Sequence, residues 1–158
     1  MRRNYYDDDE AVIAYRTAVS QWLGVPFRAN SRDKVAGVDC AGLQLALQVA
    51  GGAVEDFPIP KARLDHHWHN DASVMEAFLE SELSPIEGVA LRVLDRGEAF
   101  MTGDVLLLRW GRCAHHMAGF FGFGKLVHVA DRGTVSLVDY SDDRFRKMIF
   151  RGYRFFNV

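Results

Sequence analysis

The chain has 158 residues, 49% of them hydrophobic and 25% charged, with a formal net charge of -2. That length fits one domain (1–158) around one core, and the near-neutral balance supplies no basic surface for a nucleic-acid partner. Two cysteines, Cys40 and Cys113, are too few for a disulfide scaffold.

The opening residues place Arg2 and Arg3 before an acidic run, Asp7 to Glu10, where a secretory signal would have its apolar stretch. No run is long and apolar enough to span a membrane. The expectation is cytoplasmic synthesis, with any export following a route that needs no signal peptide.

The first half reads as helical. Asp7 to Glu10 suit the positive end of a helix dipole, and Ala11, Val12, Tyr15, Val19, Trp22 and Leu23 recur at helical spacing. Gly24 and Pro26 end that helix. A polar, basic loop follows from Phe27 to Val38. The spacing predicts a second helix over 39–50, with Leu43, Ala46, Leu47 and Ala50 apolar and Gly51-Gly52 as the stop. A loop then carries Pro58, Pro60 and the run Asp65-His66-His67-Trp68-His69. Asp71 or Ser73 can cap a third helix over 74–83.

After Pro85 short apolar runs alternate with Gly and Asp: 89–94, 105–110, 117–121, 126–129, 135–138 and 148–156. These read as strands of a mainly antiparallel sheet. Helices first and strands second imply an α+β fold, with the N-terminal helices packed on one side of the sheet.

Chemistry concentrates in Val38-Asp39-Cys40-Ala41-Gly42-Leu43. Asp39 is a good N-cap, so Cys40 falls in the first helical turn, where unpaired N–H groups and the dipole favour a thiolate. The N–H groups just after Cys40, that of Ala41 first, can hold an oxyanion. The plainer alternative is a buried structural cysteine.

Six histidines compete for the role of base. His116 and His128 flank a hairpin that turns at Gly122-Phe123-Gly124. A turn centred at Gly122 puts them directly opposite, and one centred at Phe123 makes them diagonal neighbours. Either centre leaves both rings on one face, where one imidazole can orient the other. Two strand histidines satisfied within the core remain the alternative. His115 alternates to the opposite face of a regular strand. It is the decoy for the base and a candidate on the substrate side, and a one-residue slip in register exchanges it with His116. His66, His67 and His69 lack the spacing of a structural zinc site, so their loop reads as solvated, with Trp68 a stacking surface for substrate. Cys113, His115 and His116 form a weaker metal candidate.

These residues resemble the NlpC family of papain-like cell-wall cysteine peptidases. Trp22-Leu23-Gly24-Val25-Pro26-Phe27 resembles the family's entry segment, Trp-Leu-Gly-Thr-Pro-Tyr. Gly37 to Leu43 is similar to its nucleophile motif, and Gly103-Asp104-Val105-Leu106 to its Gly-Asp-hydrophobic strand. His116 and His128 keep the family's twelve-residue offset. Asp139-Tyr140 and Gly152-Tyr153-Arg154-Phe155 resemble the end of the phage-associated branch.

The resemblance implies Cys40 as nucleophile, His116 as base and His128 as orienter. No cofactor or metal is required. It implies cleavage of an amide in the peptidoglycan stem peptide, typically between D-γ-glutamyl and diaminopimelate residues. The phage branch implies a carrier, the tail of a phage or gene-transfer particle, that brings the enzyme to the wall. Many relatives have a tyrosine whose hydroxyl helps hold the oxyanion. The matching residue here is Phe27, so Ser31, Asn30 or a backbone N–H stands as substitute donor. Arg28, Arg32 and Lys34 are candidates for orienting substrate carboxylates, or else a solvated face. Asp104 reads as a turn residue that can also accept a hydrogen bond near the site. Two rivals keep the fold: a non-catalytic tail-assembly or wall-binding module, and a thiol amidase or acyltransferase with another substrate.

Overall fold

The computed structural model describes residues 2–58, 74–109 and 114–158, without the side chains of Val74, Ala114 and His115. A single 3-10 turn at Tyr5–Asp7 leads into α1 (Asp9–Trp22). The short strands β1 (Arg32–Asp33) and β2 (Gly37–Val38) precede α2 (Cys40–Ala50). Next comes α3 (Val74–Ala77), which runs on as a π turn over Phe78–Glu82. The remainder is β3 (Val89–Val93), β4 (Val105–Arg109), β5 (Ala114–Gly122), β6 (Lys125–His128), β7 (Ser136–Asp139), α4 (Asp143–Met148) and β8 (Ile149–Asn157).

Local sequence explains the first two helices. Asp8, within the acidic run expected at this helix start, is the N-cap of α1, and its carboxylate accepts the Ala11 N–H at 3.1 Å. Ala11, Tyr15, Ala18, Val19 and Trp22 form its buried stripe. Gly24 follows the helix at φ +83°, a left-handed conformation that reverses the chain toward Val25. Asp39 caps α2, its carboxylate accepting the Gly42 N–H at 2.7 Å. That helix is buried nearly all round, which includes two side chains that hydrophobic periodicity gave no reason to bury, Gln44 and Gln48. The expected caps of α3, Asp71 and Ser73, lie outside the described residues.

The six long strands pair in the order β3-β8-β4-β5-β6-β7, every pair antiparallel. Central β4 is apolar on both faces because both are covered. Val105 and Leu107 join the main core with α1, α2 and α3, and Leu106 and Leu108 join a smaller core beneath. Fully burying each of these side chains contributes about 1.5–3 kcal/mol.

The second core is sealed by a connection that the sequence did not announce. β7 is an edge strand, whereas β8 lies between β3 and β4, so the chain crosses the lower face between them. α4 sits on that crossover, and its Phe145 and Met148 pack on the smaller core. Its residues carry no apolar periodicity. It forms because Asp142 caps it, accepting the Arg144 N–H at 3.0 Å.

Candidate active site

The hairpin of β5 and β6 sets the histidines. Phe123 and Gly124 occupy its two-residue turn at φ 53° and 69°, the double left-handed pattern of a type I′ turn. Gly119 pairs with Val127 and Phe120 with Leu126, which centres the turn at Phe123. The same register puts His128 across from Ala118, so His116 and His128 are diagonal neighbours. Arg16 of α1 braces the tip: its Nε donates to the Phe121 carbonyl at 3.1 Å and its guanidinium lies 4.5 Å from the Phe123 ring centre.

Both imidazoles are buried, and His116 Nε2 lies 2.9 Å from His128 Nδ1 with the rings at 80°. One nitrogen donates and the other accepts, so the contact fixes the two tautomers together. His116 pairs across β4 with Leu108, which places the rings on the smaller-core face. The Phe145 ring of α4 stands edge-on to His128 at 5.2 Å. Burial first, and then the neighbouring His128, hold His116 down to about 3; burial also lowers His128. Both rings rest neutral.

Cys40 approaches from the side of α2. Its sulfur meets the backbone amide of Met117, the residue after His116, together with the amides of Ala41 and Cys40 itself. The thiol is free and buried. Burial pushes it up to about 12, the Asp39 carboxylate pushes the same way, and the three amides pull it down by less. The sequence reading expects a thiolate at this helix start. Burial outweighs the helix end, so the resting form is the neutral thiol. Only 6% of Cys40, 3% of His116 and 8% of His128 is exposed.

No sequence-family model matches the chain, and no curated protein matches it. Solved structures do. An NlpC/P60 family protein from Bacillus cereus aligns with 89% of this chain and 39% of its own, at 14% identity and a TM-score of 0.59. NlpC2 from Trichomonas vaginalis aligns with 96% of this chain and 49% of its own, at 11% identity and a TM-score of 0.62. The NlpC/P60 domain of the peptidoglycan hydrolase SagA aligns with 89% of this chain and 96% of its own, at 15% identity and a TM-score of 0.52. The fold is that of the NlpC/P60 proteins. It is the α+β, papain-like architecture expected from the sequence. The chain spans less than half the length of the first two relatives.

Within this NlpC/P60 fold, the remaining expected site residues divide. Phe27 bridges to Val38, two positions before Cys40, and its ring is partly buried against the main core. The Ser31 hydroxyl donates to the Gly37 carbonyl at 2.7 Å, so its hydrogen serves its own loop. The Asn30 N–H donates to Asp39 at 2.9 Å. Arg32 pairs with Asp56 at 2.7 Å and Lys34 reaches Gln21 at 3.2 Å, while Arg28 is exposed. Arg32 and Lys34 line a groove of about 410 Å³ beside Trp22 and Val49, which none of Cys40, His116 and His128 borders. Asp104 is a turn residue bound to Arg154 at 2.7 Å, not to the site. His66, His67, Trp68, His69 and Cys113 lie outside the described residues, as does the side chain of His115. Two contributors had no signal in the sequence: Phe145, on a helix without periodicity, and the Met117 amide, which is backbone.

Among the described residues no helix is long and apolar enough to cross a membrane.

Proposed function

We propose that the protein is a cysteine hydrolase that cleaves an amide bond in peptidoglycan stem peptides, with Cys40 as nucleophile, His116 as base and His128 as orienter. The observation that carries this reading is the 2.9 Å contact between two buried imidazoles on the strand pair whose Met117 amide touches the Cys40 sulfur. Burying two imidazoles costs free energy that a purely structural core avoids with apolar side chains.

With the shared hydrogen on His116 Nε2, that N–H donates to His128 Nδ1 and leaves His116 Nδ1 as the basic nitrogen. The thiol rests protonated, so His116 takes its proton as the sulfur attacks the carbonyl carbon. The imidazolium passes that proton to the leaving amine, and a thioester remains. Water then attacks the thioester with His116 again as base, which releases the acid and restores the thiol. The amides at the start of α2 are the oxyanion donors within reach of the sulfur.

The peptidoglycan substrate is supported by the shared fold with the SagA domain. The D-γ-glutamyl–diaminopimelate bond, and delivery to the wall by a phage-like particle, rest on the resemblance of the motifs and of the closing segments.

The test is incubation of the purified protein with muropeptides beside a Cys40→Ala control, with products read by mass spectrometry. Cleavage that disappears in the control supports the reading and identifies the bond. Absence of cleavage, with a Cys40 that stays inert to alkylation up to about pH 9, overturns it in favour of a non-catalytic wall-binding module. One observation favours that second reading: Phe27 stands where a hydroxyl is expected.

A further inference from the structure

α2 carries a polar stripe on its sheet-facing side. Cys40, Gln44 and Gln48 recur every fourth residue and so lie one above the other. The two glutamines are each 1% exposed, deeper than the cysteine. Gln44 is tied to the backbone of the sheet and Gln48 to the turn that enters it. Gln48 Nε2 donates to the Gly103 carbonyl at 2.9 Å, and its Oε1 accepts the Tyr6 hydroxyl at 2.7 Å. Gln44 Nε2 donates to the Val127 carbonyl at 3.4 Å. Val127 directly precedes His128, and Gln44 stands one turn after Cys40. One side chain therefore joins the helix of the nucleophile to the strand of the orienting imidazole.

The far end of that amide meets a second buried group. Gln44 Oε1 and the Tyr15 hydroxyl are both without a hydrogen-bond partner among the described residues. Both point at Gly119, which pairs with Val127 across the hairpin. A Cβ on Gly119 would run into the Tyr15 hydroxyl and stand 2.7 Å from Gln44 Oε1. A donor and an acceptor thus share one niche, kept open by a residue without a side chain. Reversing the amide would set its oxygen against the Val127 carbonyl, so this orientation is the one that satisfies the sheet.

We propose that Gln44 is a positioning residue that fixes the level of Cys40 over the histidine hairpin through its bond to the Val127 carbonyl. The inference rests on the reading of Cys40, His116 and His128 as the reacting groups. Among the described residues the charged group that acts on the sulfur is Asp39, the cap of its own helix. Gln44 is uncharged, so its loss changes thiol reactivity through geometry alone.

Gln44→Met keeps the length and volume of the side chain and removes the amide. Leu45→Ala, a fully buried position on a different face of the same helix, is the destabilised comparison. Each variant is read in three ways: by thermal unfolding, by the pH dependence of alkylation at the Cys40 peptide (mass spectrometry keeps Cys113 apart), and by kcat and KM on muropeptides. Gln44→Met is expected to shift the alkylation profile and to lower kcat about ten-fold or more with KM little changed. Leu45→Ala is expected to unfold at lower temperature with a wild-type profile and kcat. Gln44→Leu, which also removes the amide, carries the test with the same expected shift if Gln44→Met does not fold. A wild-type alkylation profile in Gln44→Met, or an equal shift in Leu45→Ala, overturns the inference. A wild-type protein that cleaves no muropeptide removes the proposed substrate, and the alkylation arm then decides the role of Gln44 by itself.

Discussion

His116 Nε2 and His128 Nδ1 meet 2.9 Å apart in a buried contact that has room for one hydrogen. A proton added at His116 Nδ1 leaves that hydrogen in place, so the cost of charging the pair is the burial of the new charge. Burial holds His116 at about 3, against 6.5 for an exposed imidazole. The unfolded chain therefore binds more protons than the folded one between those values. Stability from this site is complete above about pH 6.5 and falls as pH drops toward about 3, by about 1.4 kcal/mol per unit for His116 alone. Urea midpoints between pH 7 and pH 4 are expected to fall more steeply in the wild type than in His116→Phe. Parallel curves would show that the pair takes up protons without cost.

The same burial governs the nucleophile. Asp39 holds Gly42 and Asn30 by their N–H groups, while its charge pushes the Cys40 thiol up. Asp39→Asn keeps an acceptor for Gly42 and stays a good N-cap, but removes the charge. Alkylation of Cys40 at pH 8 is expected to speed up, about ten-fold for each pKa unit recovered. A slower or unchanged rate would mean that the Asp39 charge does not reach the sulfur and that burial alone sets the thiol.

Legibility followed sequence distance. The Asp39 cap, the Cys40 helix and the hairpin of His116 and His128 each depend on neighbours within a few residues, and all three were readable. The sequence left two turn centres open, and the structure takes Phe123. The helix start that favours a Cys40 thiolate is visible in a sequence, and the burial that pushes the thiol up is not. Gln44 and Gln48 look like surface residues until Val127, Gly103 and Tyr6 come over them from remote parts of the chain. Phe145 was invisible for a third reason: α4 is held by its own cap and ion pairs, Asp142 with Arg144 and Asp143 with Arg146, without an apolar stripe. Ser31 illustrates the converse, a hydroxyl of the right type that its own loop consumes.

Away from the site, a buried ion pair ties β8 to the turn before β4. Arg154 grips Asp104 through two nitrogens at 2.7 and 2.8 Å, and its third nitrogen reaches Glu98 at 2.8 Å. Asp104 is 1% exposed and Arg154 5%, so removing one partner strands the other in the core. Asp104→Asn is expected to destabilise by about 3 kcal/mol, near the lower end for a broken buried pair because Glu98 still answers the guanidinium. Urea unfolding measures the loss, and Cys40 alkylation in the folded variant is expected to stay as in the wild type. A loss below about 1 kcal/mol would show that Glu98 alone suffices.

Phe27 tests how the oxyanion is held. Its bridge to Val38 and its N–H bond to the Gly133 carbonyl at 2.9 Å fix the backbone beside the nucleophile loop. Phe27→Tyr leaves those bonds in place and adds one donor at the end of a partly buried ring. Its folding cost is expected to stay within about 1 kcal/mol, since a hydroxyl at a half-exposed position can reach water. If the ring edge faces the carbonyl oxygen under attack, the new donor acts in the transition state more than in the bound substrate. kcat on muropeptides then rises by up to about a hundred-fold with KM little changed. An unchanged kcat would place the ring away from the oxyanion and leave the amides at the start of α2 as its support. The variant therefore separates a weak hydrolase that lacks one donor from a site that has replaced it.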